Sequence, residues 1–391
     1  MTGTNLSKTL TKKLAKRIIW AMNMRLDETV TIRGGLHEQA LIEEIALTAL
    51  EQGVNPSFGT ASDSYVEEFY KRVPVKYLKR TSKLALRQAS ALDNSIGLER
   101  LKDPRIMEKV SPDNIAAAVE GSKPVSKLMD KRKVKWCYVG FPTEEMARKL
   151  GVRYSLLRKF IFDGMLVSQK TLFKRASFIS KNLKSAERVH VWDEFGTDLT
   201  LRIAGRKILL ADGYISDMDK KHGDIGLNLP DGEVFLAPIE TYGNGTLVAP
   251  KQMDRYTGKS IEHIKLVFEN GKVNMQKSRA EKNEKAMKDT ILRSVAIDKK
   301  HEKRVRTTNV AELGIGLNPL IDRAVGYTLT DEKIGGTIHV AIGYNKGAYG
   351  GRSESCLHWD FVTNKGINLE TIARNGIKKT LIEKGRFLFA G

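Results

Sequence analysis

The spacing of apolar residues divides the chain into two textures. In the first half, short β-rich runs alternate with helical periodicity. Glu28–Arg33 (ETVTIR) is extended and is followed by Gly34-Gly35. Leu41, Ile42, Ile45, Ala46, Ala49 and Leu50 then recur at helical spacing within Glu38–Gln52, and Gly53 stops that helix. Pro56–Thr60 reads as extended, Tyr65–Tyr70 and Val75–Lys79 as helical, Ala89–Gly97 as a strand, Pro112–Val119 as a helix and Val134–Gly140 as a strand. Pro142-Thr143-Glu144-Glu145 opens a basic helical stretch that runs to about Lys184. Such alternation predicts a layered α/β unit with a mostly parallel sheet. From Arg188 the pattern becomes strictly alternating, with turns at Phe195-Gly196 and Ala204-Gly205, which predicts antiparallel β-structure. The expected fold class is therefore α/β: an N-terminal layered α/β domain over residues 1–185, and a β-rich α+β domain over 186–391 with helices near 280–293 and 369–384.

Composition narrows the classes. Apolar residues make up 41% of the 391 positions, enough for packed cores. No run of 18 apolar residues exists, so no membrane span is expected. The first twenty residues read as the opening of an amphipathic helix rather than a signal peptide. Two cysteines, Cys137 and Cys356, offer neither a disulfide framework nor a CxxC pair, which suits a reducing cytoplasm. The 66 Lys and Arg against 46 Asp and Glu give a net charge of +20. The basic residues are scattered without aromatic interleaving, which favours a solvated basic surface over a nucleic-acid interface.

Common catalytic signatures are missing: no GxSxG elbow, phosphate loop, GxGxxG or HExxH occurs. Candidate chemistry gathers instead in Asn309–Pro319 (NVAELGIGLNP), Asp331–Gly343 (DEKIGGTIHVAIG) and Gly350–Asp360 (GGRSESCLHWD). In a strand, His358 and Asp360 project to the same face, with Trp359 opposite. His339 lies in an apolar strand whose Ile338 and Val340 face the other way, and a buried imidazole there needs a partner. Alone, a strand histidine is more often structural, an HxD pair is a weak metal signal, and Glu312 could merely line a Gly314-Ile315-Gly316 turn. Co-occurrence argues for more, since two of seven histidines and several acids fall in one glycine-rich stretch. Glu233, after the Pro230-Asp231-Gly232 turn of LNLPDGEVFLAP, is a further acidic candidate at a strand start.

In this order, NLPDGEVFLAP, AELGIGLNP, DEKIGGTIHVAIG and HWD resemble the thermophilic metallo-aminopeptidases, the aminopeptidase T family, and PTEEMARKLGV is similar to a further family segment. The resemblance runs from about residue 28 and is strongest over 225–362. It implies a dinuclear enzyme that removes single residues from peptide N-termini. By motif, the metal ligands fall on Glu233, Glu312, His339, His358 and Asp360. Two divalent ions, Zn or Co, would be the cofactors, because imidazoles favour these over Mg or Ca. A catalytic tyrosine is implied near the site; of Tyr344 and Tyr349, the Ala-Tyr-Gly-Gly context favours Tyr349. Glu332 is a candidate supporting carboxylate or a turn residue, and Lys333 a substrate contact or a surface residue. The resemblance also implies peptide substrates and a homodimer, while cysteine usage points to the cytoplasm, no membrane partner is expected and a nucleic-acid partner is disfavoured despite the net charge of +20. The strongly basic charge departs from the family pattern. Two other classes remain compatible with these residues: another dinuclear hydrolase, such as a phosphoesterase, and a basic nucleic-acid-binding protein.

Overall fold

A computed structural model describes residues 6–301 and 306–389. The chain forms two compact units, and it passes between them more than once. One unit takes the chain to Leu166 and then Gly213–Pro230; the other takes Val167–Asp212 and everything from Asp231 onward. The units therefore part at three places in the sequence, not at a single point near residue 185.

The first unit is built on a five-stranded sheet, all of whose strands are parallel. Its order is Asn55–Ala61, Thr29–Gly35, Asn94–Leu98, Lys135–Val139 and Gly226–Leu229. The last strand comes from beyond the expected domain boundary. It pairs with Lys135–Val139 across nearly ninety residues of intervening chain. Some local signals hold. The helix Gln39–Leu50 ends just before Gly53, which takes φ +72°. Thr143 caps Glu144–Leu150 by accepting from the Met146 amide at 3.0 Å, and Gly151 ends that helix in the left-handed region. The N-terminal amphipathic helix spans Lys8–Ala21, with Leu14, Ala15 and Ile18 on its buried face. No described helix is long and apolar enough to cross a membrane.

The second unit holds two antiparallel sheets, one of nine strands and one of five. The smaller runs, edge to edge, His358–Val362, Ile338–Gly343, Val310–Gly316, Glu233–Leu236 and Ile208–Ala211. One of its faces is wholly apolar: Val234, Leu236, Leu313, Ile315, Val340, Ile342, Trp359 and Phe361 join the core to which the Gln169–Leu183 helix contributes Leu172, Ala176 and Ile179. That burial anchors the sheet and commits the opposite face of the same strands to the site.

Two local expectations are corrected. Residues 369–384 are not a helix but the hairpin Asn368–Ile372 and Lys378–Glu383. Leu369, Ile372 and Ala373 stand at helical spacing, yet Asn375-Gly376 breaks the run: Gly376 takes φ +85° and its amide donates to the Ala373 carbonyl. Likewise Gly314-Ile315-Gly316 is no turn; it is the second half of a fully buried strand, Val310–Gly316, that also carries Glu312.

Candidate metal centre

Strand register brings the candidates together. Glu312 lies opposite Ala341, which lies opposite Asp360; Gly314 lies opposite His339, Gly316 opposite Glu233, and Gly343 opposite His358. Residues directly opposite in a sheet share a face, as do residues two apart along a strand. Glu233, Glu312, His339, His358 and Asp360 therefore occupy one face of one sheet, drawn from four adjacent strands. Only small residues, Gly314, Gly316, Ala341 and Gly343, intervene between the polar positions of the two central strands. The sequence had this signal in plain view, as E-x-G-x-G at 312–316 and H-x-A-x-G at 339–343, both with a period of two.

Gly314 is not incidental. A Cβ there would lie 1.9 Å from His339 Nε2 and 2.1 Å from Cε1. The imidazole occupies the space a side chain at 314 would need.

Distances tie the five residues into two overlapping groups. His339 Nε2 stands 3.2 Å from Glu312 Oε1 and 3.5 Å from Glu233 Oε2. His358 Nε2 stands 3.2 Å from Glu312 Oε2 and 3.4 Å from Asp360 Oδ2. Within each of the sets Glu233/Glu312/His339 and Glu312/His358/Asp360, ligand-type atoms lie within 4.8 Å of one another. Glu312 belongs to both, one carboxylate oxygen to each. His358 Nδ1–H donates to the Tyr344 carbonyl at 2.7 Å, which fixes the ring and turns Nε2 toward the carboxylates.

The cluster is strongly anionic for its burial. Burial works against charging either imidazole, yet the carboxylates prevail. Glu312 and Glu233 push His339 up to about 9, and Asp360 and Glu312 hold His358 well above the usual histidine range. Burial would raise Asp360, but the two histidines bring it well below the ordinary carboxylate range. Buried atoms remain without a hydrogen-bond partner: Glu233 Oε2, His339 Nδ1 and Asp360 Oδ1. Carboxylate oxygens and imidazole nitrogens gathered in this way, with unsatisfied oxygens among them, suit a divalent cation.

Lys333 and Glu332 lie deeper than the sequence suggested. Lys333 is fully buried, donating to Glu233 Oε1 at 2.6 Å and Glu332 Oε2 at 3.1 Å. It is neither a surface residue nor free to meet a substrate. Burial raises Glu332 to about 8 against the pull of Lys333, and burial likewise raises Asp231 to about 7. Lys333→Met would leave the buried Glu233 carboxylate without its counter-charge, a loss of about 3–5 kcal/mol for a broken buried pair. We expect a matching fall in the urea midpoint, measured by circular dichroism.

Of the two tyrosines, Tyr349 packs against the cluster. Its ring centroid lies 5.2 Å from His358 and 5.6 Å from Phe235, which shares the ligand face. Burial and then the Glu312 and Asp360 charges raise its hydroxyl far above the usual tyrosine range, so it keeps its proton. Tyr344 is partly exposed and contributes its carbonyl to His358.

A family model described as "Thermophilic metalloprotease (M29)" matches residues 7–387, nearly the whole chain. The chain belongs to this family. The class expected from its motifs, a metallo-aminopeptidase of the aminopeptidase T family, therefore stands, and with it a need for divalent metal and peptides as substrates. Among solved structures, the M29 chain is similar to wild-type AmpT from Thermus thermophilus, at 18% identity and a TM-score of 0.76, covering 98% of this chain and 100% of that one. It is also similar to 2,5-dihydroxypyridine dioxygenase from Pseudomonas putida KT2440, at 14% identity and a TM-score of 0.59, covering 98% of each. At such identities both likenesses speak for the fold alone, which the M29 chain thus shares with an enzyme named for different chemistry. No curated protein matches its sequence.

Proposed function

We propose that this M29 enzyme is a dinuclear aminopeptidase whose two cations are held by Glu233/Glu312/His339 and Glu312/His358/Asp360. The observation that carries the reading is the shared Glu312, which offers one oxygen to each set. Two divalent ions, Zn or Co by their ligands, would supply a water acidic enough to attack at neutral pH and a Lewis acid for the scissile carbonyl.

The chain's own residues supply the rest. Three carboxylates offset most of the charge of two dications. Lys333 grips Glu233 Oε1 and so leaves Oε2 as the oxygen facing His339. The Tyr344 carbonyl keeps the His358 tautomer in which Nε2 is free to ligate. Tyr349, protonated and packed on His358, is the group to donate a hydrogen bond to the developing oxyanion. A cation held there would also accept the lone pair of a free α-amino group, which would account for action at N-termini.

The test is substrate and metal dependence together. Leucine-p-nitroanilide is expected to be hydrolysed, N-acetyl-leucine-p-nitroanilide and bis-p-nitrophenyl phosphate to be inert, and activity to vanish on chelation and return with Zn²⁺ or Co²⁺. Equal turnover of the acetylated substrate, or preference for the phosphodiester, would sink the aminopeptidase reading.

A further inference from the structure

Beside the ligand-bearing strands, the second unit has a cleft of about 920 Å³ whose charged lining is mainly cationic. Five cationic side chains line it, Arg206, Lys207, Lys272, Arg306 and Arg352, against one carboxylate, Glu240. Glu240 is already committed: it pairs with Arg206 and accepts from the Arg352 amide at 2.6 Å and from Asn345 Nδ2 at 3.1 Å. Lys207, Lys272, Arg306 and Arg352 have no carboxylate partner among the described residues. Two buried polar atoms of the lining also have no hydrogen-bond partner, the Arg206 Nε–H donor and Asn309 Oδ1. Their residues are about nine-tenths buried. Like charges at this density repel, and a buried guanidinium donor left unpaired is costly, so the cleft is built for an anion.

Its place relative to the site identifies the anion. Gly350, on the cleft wall, follows Tyr349 directly. Asn309, also on the wall, precedes the strand that bears Glu312, and Glu240 braces the loop that carries Tyr344 and Tyr349. Three residues of chain separate Asn309 from Glu312, a reach of at most about 10 Å. A substrate in extended form covers the same distance in about three residues.

Resting on the aminopeptidase reading above, we propose that this cleft is the subsite for the downstream end of the substrate. It takes the C-terminal carboxylate of a short peptide, or an acidic side chain about three residues beyond the scissile bond. The cationic lining then orients the peptide, holding its carboxylate end while its amino end lies at the metal-ligand cluster. Much of this binding precedes the chemical step, so it is read in KM more than in kcat.

The test compares Leu-Gly-Gly with its C-terminal amide, in the full-length wild-type enzyme and in a Lys272→Glu/Arg306→Glu variant. Each exposed ion pair contributes up to about 1 kcal/mol, so two reversed charges are expected to shift the KM ratio by about tenfold. The wild type is expected to favour the free acid, and the variant to lose that preference while keeping wild-type kcat on leucine-p-nitroanilide, which has no downstream chain. A wild-type ratio of one, or a ratio unchanged in the variant, overturns the proposal. A second arm is independent of turnover: calorimetric binding of acetyl-Gly-Asp-Asp, expected to weaken with salt and in the variant. Equal affinity in both proteins overturns the subsite, and so does displacement of the peptide by inorganic phosphate at matching concentration, which would assign the cleft to phosphate. Absence of leucine-p-nitroanilide turnover counts against the peptidase reading alone, since the calorimetric arm decides the cleft by itself.

Discussion

Gly314→Ala is expected to abolish most of the peptidase activity while the protein still folds. The change adds one methyl group, and no ligand is touched. Yet that methyl would sit 1.9 Å from His339 Nε2, the nitrogen that faces Glu312 and Glu233. His339 is completely buried, so the ring has no open volume into which to swing. It must leave its place opposite Gly314, and Nε2 then no longer meets the two carboxylates. Losing the support of a metal-ligating histidine costs 10–100-fold in affinity or activity, and losing the ligand's position costs at least the upper end, about 100-fold. Gly97→Ala is the control, because a Cβ at Gly97 meets nothing within 4 Å. The measurement is kcat/KM on leucine-p-nitroanilide with metal content determined alongside. Wild-type values for both in Gly314→Ala would show that the ring is not held where the sheet register puts it.

Removal of single ligands is expected to have effects of about 10³-fold or more in kcat, since each cation is asked to supply several kcal/mol of transition-state stabilisation. The pattern matters more than the size. His339→Ala damages only the Glu233 side and leaves Glu312, His358 and Asp360 together; Asp360→Ala does the converse. Each is expected to retain one equivalent of Zn²⁺ by metal analysis, and Glu312→Ala none, because Glu312 is common to both groups. Unchanged circular dichroism is expected in the first two. If Glu312→Ala retains one ion and Asp360→Ala none, the shared-carboxylate arrangement is wrong.

The candidate site was legible in the sequence to the extent that strand alternation is local. His358 and Asp360 on one face, and Ile338 and Val340 turned away from His339, follow from a period of two within five or six residues. That the five residues would meet depended on the order of the motifs, because register between strands some 20 to 100 residues apart has no local trace. The roles of Gly314 and Lys333 were beyond such a reading. A glycine needed to admit a neighbour's side chain, as Gly314 is, looks the same in sequence as a glycine in a turn. Lys333 looks like any surface lysine until Glu233 and Glu332 are placed around it.

The fold shows the same division. Helices with caps and stops, such as Gln39–Leu50 and Glu144–Leu150, were readable because Gly53, Thr143 and Gly151 act on their own neighbours. Gly226–Leu229 was not readable as a parallel strand, since its partner Lys135–Val139 lies in a distant part of the chain. In 369–384, helical spacing and a hairpin turn competed, and packing against Arg188–Trp192 decided for strands.

The central claim is that one carboxylate joins two metal sites on one sheet face. Anomalous diffraction from crystals of the enzyme grown with Zn²⁺ tests it most directly. The account predicts two peaks about 3.5–4 Å apart, with the Glu312 carboxylate between them, Glu233 and His339 on one side and His358 and Asp360 on the other. A single peak, or ions bound away from Glu312, would contradict it.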